Sequence, residues 1–382
     1  MRLCAGYQAR KELSVKYKNF LVPRLMDADN FNPQNNNAQN ILSHWLDDEF
    51  QISTLCYNTP RQDIVRKQSV HLIKLWRWRF WRLSAWLVYQ RKIDVIFYPG
   101  ADISDDLGWR FRDFTGRKVP IVATLEGLLG NPEREKEYSA WAGHQVYCQQ
   151  VDEKVLARID RLYERADHII AISPFLADMG KRRYGNKFSV LPLGVDSSVF
   201  FADDIVRNER MTVIGAGRLY ANKRPEVFVE LASKFPNVDF IWYGWGEMRD
   251  ELQKTAADRQ LKNLIFPGPV GPEELADAMR RAHLFVLPSY SEGVPKVTQE
   301  AAACGLPIVI FGYYEAPTVE HENNGYVVWD DDQLIQAVSK LLENREMALE
   351  LGLQSRLMAQ QWPWEIVASR WFKQVKNSGV YN

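Results

Sequence analysis

The sequence predicts an α/β protein made of two doubly wound domains, each built on a parallel sheet. Short apolar runs ending in turn residues alternate with longer helical stretches, and the pattern stops near residue 195 and restarts at 211. Continuous apolar runs of this length read as strands buried on both faces, with crossover helices between them. Length agrees, since 382 residues exceed one ordinary core and suit two.

In the first half the expected strands are residues 19–25, 51–57, 94–100, 119–127, 168–173 and 188–194. In the second half they are 211–217, 238–244, 263–268, 283–289, 306–312 and 325–329. The linker is expected within 194–204, dividing a first domain at 1–195 from a second at 196–361. Beyond Asp330 the pattern is helical, and the Trp-rich 362–382 is expected to pack back on the first domain. Ligands of such sheets bind at the carboxyl ends of the strands, here in a cleft between the two domains.

Composition excludes several classes of protein. Hydrophobic content of 46% and charged content of 25%, with no low-complexity tract, describe a globular chain rather than a disordered one. Cys4, Cys56, Cys148 and Cys304 form no CxxC pair and have no histidines at zinc-like spacing. Neither a disulfide framework nor a metal site is therefore expected. The start "MRLCAGYQARKELSVKYK" lacks an apolar core, and no run of about 18 apolar residues occurs, so a cytoplasmic location is expected. The net charge of zero hides an asymmetry. Residues 1–195 carry 29 Lys and Arg against 22 Asp and Glu, while 196–382 carry 19 against 26. A basic half suits an anionic partner, although uneven surface charge gives the same count.

Three segments of the second half carry chemistry. "GAGRLYANKRPE" follows the strand at 211–217, and its glycines, Gly217 included, let backbone approach a ligand. Arg218 supplies a planar fork of donors and Lys223 a mobile point charge, a pair suited to a diphosphate. Next, "YGWGEMRDEL" opens a helix with Gly244 and Gly246, and "FPGPVGPEEL" offers Val270 as one wall of a base pocket. The third segment, "SYSEGVPKVTQEAAACG", places Glu292 and Gly293 on a loop and Glu300 one turn into the following helix. Exposed backbone amides between Val294 and Thr298, Lys296 included, follow the turn at Pro295 and aim the positive end of that helix at the same space. The two carboxylates then straddle an anion site and accept hydroxyl hydrogen bonds, Glu292 from a transferred sugar and Glu300 from a ribose.

"PSYSEGVPKVTQEAAACGLPIVIF", taken with "GRLYANK" and "LPLGVDSSVF", resembles the retaining glycosyltransferases of family 4, which have the GT-B fold. The family's pattern of Glu, seven residues and Glu falls on Glu292 and Glu300, and its phosphate-binding Arg and Lys fall on Arg218 and Lys223. The resemblance implies a nucleotide-sugar donor with UDP or GDP, no enzyme nucleophile, no cofactor and no required metal. The acceptor implied is a saccharide or lipid-linked saccharide, as in envelope polysaccharide or glycoconjugate synthesis. Arg218 and Lys223 would stabilise the departing diphosphate, a form of electrostatic catalysis.

The first half departs from the family pattern. Members often carry a Gly-Gly loop after the first strand, where this chain has "DADNFNPQNNNAQN", leaving Asn36 and Asn37 to reach phosphate or acceptor. Many carry a His after the fourth strand, at the position of Glu126. A carboxylate there is an acceptor base, a hydroxyl ligand or a simple cap. His144 is a second acceptor-side candidate. Residues 61–92, which include the segment 65–92, hold nine Lys and Arg against one Asp. The segment is expected to be a helix with one apolar arc, including Leu72 and Ile73, packed on the sheet. Its other arc, with Lys74, Arg77, Trp78, Trp81 and Arg82, would meet an anionic membrane surface. No nucleic-acid partner is expected. Two rivals remain, a glycoside hydrolase using Glu292 and Glu300 and a catalytically silent nucleotide-sugar-binding subunit.

Overall fold

A computed structural model of the chain describes residues 19–22, 33–45, 51–56, 70–74, 93–100, 112–114, 116, 118–203, 206–314 and 316–378. The first sheet contains β1 (Asn19–Val22), β2 (Gln51–Cys56), β3 (Val70–Lys74), β4 (Val95–Tyr98) and β5 (Ile121–Leu125). Two very short strands, β6 (Leu129–Gly130) and β7 (Gln149–Gln150), pair with each other apart from it, and β8 (His168–Ala171) and β9 (Phe188–Val190) complete it. Its order is β3-β2-β1-β4-β5-β8-β9, with every pairing parallel. β4 and β5 are buried at every position, as strands covered by helices on both faces must be.

Around this sheet lie α1 (Pro33–Ser43), α2 (Pro132–Ala142), α3 (Glu153–Arg165) and α4 (Pro174–Tyr184). Three of these start as their sequences dictate. The side chains of Asn131, Asp152 and Ser173 accept hydrogen bonds from first-turn amides, and Pro132 and Pro174 occupy the first turn, where no amide is needed.

The second sheet holds β10 (Thr212–Ala216), β11 (Asp239–Tyr243), β12 (Leu264–Gly268), β13 (Leu284–Leu287), β14 (Ile308–Phe311) and β15 (Gly325–Val328). Its order, β12-β11-β10-β13-β14-β15, is again wholly parallel. The connecting helices are α5 (Glu226–Lys234), α6 (Arg249–Asp258), α7 (Pro272–Arg281) and α8 (Lys296–Ala303), followed by α9 (Asp331–Glu343) and α10 (Arg345–Ala359). Both sheets reverse direction at one point, between β1 and β4 in the first and between β10 and β13 in the second. Such a switch point is where the loops part and leave a crevice.

The last helix, α11 (Trp364–Asn377), joins the first core rather than the second: Trp364, Val367, Ala368, Trp371 and Val375 are buried with Phe20, Trp45 and Phe97. Trp45 Nε1 donates to the Ala368 carbonyl at 3.2 Å and Trp371 Nε1 to the Pro192 carbonyl at 2.9 Å. The two crossings between domains run side by side. The Val195 amide donates to the Trp362 carbonyl at 2.9 Å, and the Trp364 amide to the Val195 carbonyl at 3.2 Å. Gly194 is required there, because a Cβ would lie 2.5 Å from the Trp364 ring.

Two expectations are corrected. Residues 70–74 are strand β3, paired in register with β2, so Leu72, Ile73 and Lys74 do not share helical arcs. Val70, Leu72 and Ile73 make this a short, mostly apolar run with β-branched ends, and its pairing with a neighbouring strand outweighs the helical period expected there. Arg77, Trp78, Trp81 and Arg82 lie outside the described residues. The stretch expected to be a loop around Asn36 and Asn37 is helix α1 from Pro33 onward. Burial of Ile41 and Leu42 overrides the poor intrinsic preference of four asparagines.

Candidate active site

β10 delivers the chain to the second sheet's switch point. Gly217 follows it with φ +150°, and the Gly217 amide donates to the Tyr243 carbonyl at 2.9 Å. Arg218 comes next, exposed and, among the described residues, without an ion pair, its guanidinium 5.1 Å from the Tyr220 ring centroid. A short 3-10 turn, Ala221–Lys223, then brings Lys223 back to the strand end.

Gly244 and Gly246 serve this turn rather than an open ligand surface. A Cβ on Gly244 would stand 1.9 Å from the Gly217 carbonyl oxygen, and one on Gly246 would stand 2.3 Å from that of Leu219. Both glycines let the chain after β11 lie flush against the Arg218 loop. Val270 is half-buried after β12 and does not line the cleft.

β13, beside β10, delivers the loop from Pro288 to Pro295. The Tyr290 amide donates to the Asn222 carbonyl at 2.9 Å, tying this loop to the Lys223 turn. Lys223 Nζ forms an ion pair with Glu292 Oε1, and both side chains are largely buried. Gly293 then meets the other domain, where a Cβ would lie 2.5 Å from the Glu126 carbonyl oxygen. Its missing side chain thus permits close contact between domains. Val294 is buried within the first domain's core, so the loop is plugged into its partner domain.

Pro295 caps α8 without a side-chain hydrogen bond, leaving the first-turn amides without a side-chain acceptor. Lys296 Nζ lies 5.7 Å from the Trp364 ring centroid, a cation held over an indole face. Glu300 sits inside α8 away from the cleft-lining set, its carboxyl with no hydrogen bond or ion pair among the described residues. Burial raises its carboxyl above the usual range, against the pull of Lys296.

From the first domain, β5 ends at Leu125 and presents Glu126, which follows the fifth strand rather than the expected fourth because residues 70–74 form the additional strand β3. Glu126 is buried, and its Oε2 accepts from Asn37 Nδ2 at 3.0 Å, the two residues being 9% and 5% exposed. Its Oε1 and the Asn37 Oδ1 are both buried without a hydrogen-bond partner among the described residues. Desolvation pushes the carboxyl up to about 8, although the Asn37 hydrogen bond and the charge of Lys296 oppose the rise. Asn36 is in the same helix as Asn37.

His144 is elsewhere. Its ring stands 5.5 Å from Tyr313 and 6.4 Å from Phe175, in an aromatic contact between the domains, with Nδ1 3.1 Å from the Ala142 carbonyl.

One cleft of about 510 Å³ gathers Glu126 from the first domain with Arg218, Lys223, Glu292 and Gly293 from the second. Asn222 and Ser291 join from the same turns, and their adjacency to the expected residues was the signal that could have found them. Leu128, Leu129, Tyr147, Gln149, Gln150 and Leu176 line the opposite wall. No local signal marks Gln149 and Gln150, because the β6–β7 ladder that places them joins residues twenty apart. Among the described residues no group of three or more His, Cys, Asp or Glu could hold a metal ion. No described helix is long and apolar enough to cross a membrane.

Two Rossmann-like halves facing across such a cleft define the GT-B class. The structure matches HepE of Anabaena, solved in complex with UDP, with TM-score 0.71 and 15% identity over 94% of this chain and 100% of that one. It matches sucrose-phosphate synthase of Thermosynechococcus elongatus with TM-score 0.72 and 19% identity, over 96% and 100%. Both likenesses are of fold. Family models agree in sequence: Glycosyltransferase Family 4 matches residues 40–199 and Glycosyl transferases group 1 matches residues 200–358.

The chain therefore belongs to the family-4, group-1 glycosyltransferases. It is 31% identical over 239 residues to alpha-galactosylglucosyldiacylglycerol synthase of Streptococcus pneumoniae, covering 57% of this chain and 60% of that protein. It is 27% identical over 282 residues to the GDP-mannose-dependent alpha-(1-6)-phosphatidylinositol monomannoside mannosyltransferase of Mycolicibacterium smegmatis, covering 67% and 73%. The chain spans 48% to 60% of the first curated relatives it matches.

Proposed function

We propose that the protein is a retaining, metal-independent glycosyltransferase that moves a sugar from UDP or GDP to a saccharide or lipid-linked acceptor. The observation that carries this reading is the convergence of Arg218, Lys223 and Glu292 on the second sheet's switch point, facing Glu126 across one cleft. Two cations at such a point suit a diphosphate, and Arg218 has no competing ion pair among the described residues. Lys223 is engaged by Glu292, so an incoming diphosphate would take over the Lys223 charge and free Glu292 to accept hydroxyl hydrogen bonds from the sugar.

As the glycosidic bond breaks, negative charge grows on the β-phosphate, and the two cations stabilise it more than they stabilise the bound donor. The acceptor hydroxyl attacks on the face the diphosphate leaves, which retains configuration. A metal ion is dispensable in this scheme because two side chains supply the positive charge.

The acceptor wall combines the apolar Leu128, Leu129 and Leu176 with the amides of Gln149 and Gln150, a surface for a sugar joined to an apolar group. The names of the pneumococcal and mycobacterial relatives, both concerned with glycolipids, support a lipid-linked acceptor, and an acceptor of that kind would put the work at a membrane surface. A hydrolase acting through Glu292 and Glu300 is disfavoured, because Glu300 does not line the cleft and Glu292 is held by Lys223.

The test is to supply UDP-glucose, UDP-galactose or GDP-mannose with diacylglycerol and glycosyl-diacylglycerol acceptors in buffer containing EDTA. One donor should give a product with the donor's anomeric configuration by NMR. An inverted product would overturn retention, and transfer that appears only when magnesium or manganese is restored would overturn metal independence.

A further inference from the structure

The residue after Lys223 combines two unfavourable states. Arg224 has a left-handed backbone, φ +53°, and it precedes Pro225. Glycine enters that region freely and other residues rarely do, while a residue before proline favours extended backbone. Its guanidinium is a permanent charge, yet the residue is only 7% exposed. Strained backbone persists only where the surroundings hold it, and a buried charge needs partners. A glycine would make the same turn without either burden, so the side chain calls for a reason.

Its partners come from neighbouring strand ends. The guanidinium lies 4.4 Å from the ring centroid of Tyr290, in the loop after β13, and 5.1 Å from that of Phe311, the last residue of β14. Its Nη2 donates to Asp331 Oδ2 at 2.7 Å, at the start of α9, and its Nε faces Glu226 Oε1 at 3.6 Å, at the start of α5. A planar, delocalised cation can stack and hydrogen-bond at once in this way, which an ammonium cannot. The rings are held in their turn. Tyr313 stands 5.3 Å from Phe311 at an interplanar angle of 7° and 5.9 Å from Tyr290, and Tyr147 of the cleft's opposite wall stacks on Tyr290 at 6.3 Å.

Arg224 does not line the cleft, whereas Ala221, Asn222 and Lys223 before it do. Tyr290 joins the two regions: its amide donates to the Asn222 carbonyl at 2.9 Å, its ring lies beside Arg224, and its chain runs on through Ser291 to Glu292, the partner of Lys223. Turn and loop share one clamp placed outside the site. We propose that Arg224 is a positioning residue for transfer, its clamped side chain holding the Lys223 turn and the Glu292 loop in the arrangement that sets Lys223 against the departing diphosphate. The inference rests on reading the cleft as a nucleotide-sugar site. A fixed cation is already in place when charge grows on the diphosphate and needs no reorganisation at that moment. Arg224 acts through Lys223, so its loss matters only while Lys223 is present.

The experiment is a double-mutant cycle on the full chain. Transfer from UDP-glucose, UDP-galactose or GDP-mannose to glycosyl-diacylglycerol is measured for the wild type, Arg224→Gly, Lys223→Ala and the double variant. Glycine accepts the left-handed backbone, so the first substitution removes the side chain without straining the turn. With Lys223 present, Arg224→Gly should lower turnover at least about tenfold, chiefly in kcat, as misplacement of a charge-stabilising group does. In the Lys223→Ala background the same change should add no more than about twofold, the scatter of such cycles.

Asp331→Asn alters only an exposed carboxylate of the clamp and carries the test if Arg224→Gly does not fold. It should lower turnover about threefold with Lys223 present, and that loss should vanish without it. Equal losses on both backgrounds would mean that Arg224 serves the fold alone, and an unchanged kcat in Arg224→Gly would mean that it does not act on transfer. Either result overturns the proposal while leaving the glycosyltransferase reading intact. A wild type that neither binds nor turns over any of the three donors would overturn both.

Discussion

The two sheets have the same strand order around their switch points, but they contribute opposite kinds of group, the second at its switch point and the first at the end of β5 and in α1. The second sheet offers cations, with Arg218 free among the described residues and Lys223 tied to Glu292. The first offers a buried acid and an amide, Glu126 and Asn37, which together carry no charge when the acid is protonated. A fold that positions loops identically therefore leaves the chemistry to a few side chains at the strand ends. The difference also divides the labour. The charged half suits what every nucleotide-sugar shares, the diphosphate, and the neutral half suits what distinguishes one sugar or acceptor from another.

The halves differ equally in how complete they are. The second core closes on residues of its own domain apart from those at the two crossings, Val195, Phe200 and Trp362. The first core is finished by borrowed pieces, α11 from the chain's far end and Val294 from the donor loop. That loop is thus a working part of both domains at once.

The largest effect should come from breaking the charged half alone. Lys223→Ala removes a cation from the leaving group and leaves Glu292 without its partner, so turnover should fall by at least about 100-fold. Steady-state kinetics would check this, and a loss confined to KM would instead mean that Lys223 only holds the donor.

A smaller effect should come from the seam between the halves. Gly293→Ala drives a Cβ against the Glu126 carbonyl, and a backbone atom does not yield as a flexible side chain does. Urea unfolding should show a loss of about 1–3 kcal/mol, and sugar-nucleotide binding should weaken more than free-nucleotide binding. Equal weakening of both would place the strain in the second domain alone.

Much of this comparison is legible in the sequence, but unevenly. The second domain's strands, the Arg218–Lys223 turn and the Glu292 loop all read from local pattern, because apolar runs and glycines mark each strand end. The first domain resists the same reading where long-range pairing decides. Val70 to Lys74 is strand only because β2 lies beside it, and α1 is helix only because Ile41 and Leu42 find the core. Glycine roles are also hidden. Gly244, Gly246 and Gly293 look like ligand-facing positions, yet their missing Cβ atoms make room for other backbone. Likewise, nothing near Glu126 in the sequence points to Asn37, which lies 89 residues away.

The central claim is that the second domain's two cations hold a nucleoside diphosphate. It is tested most directly by thermal unfolding of the wild type and an Arg218→Ala/Lys223→Ala variant with UDP, GDP and ADP, because a ligand that binds only the native state raises the midpoint. One nucleotide should raise the wild-type midpoint by several degrees at saturating concentration and leave the variant's unmoved. A wild type indifferent to all three, or a variant stabilised as much as the wild type, would contradict it.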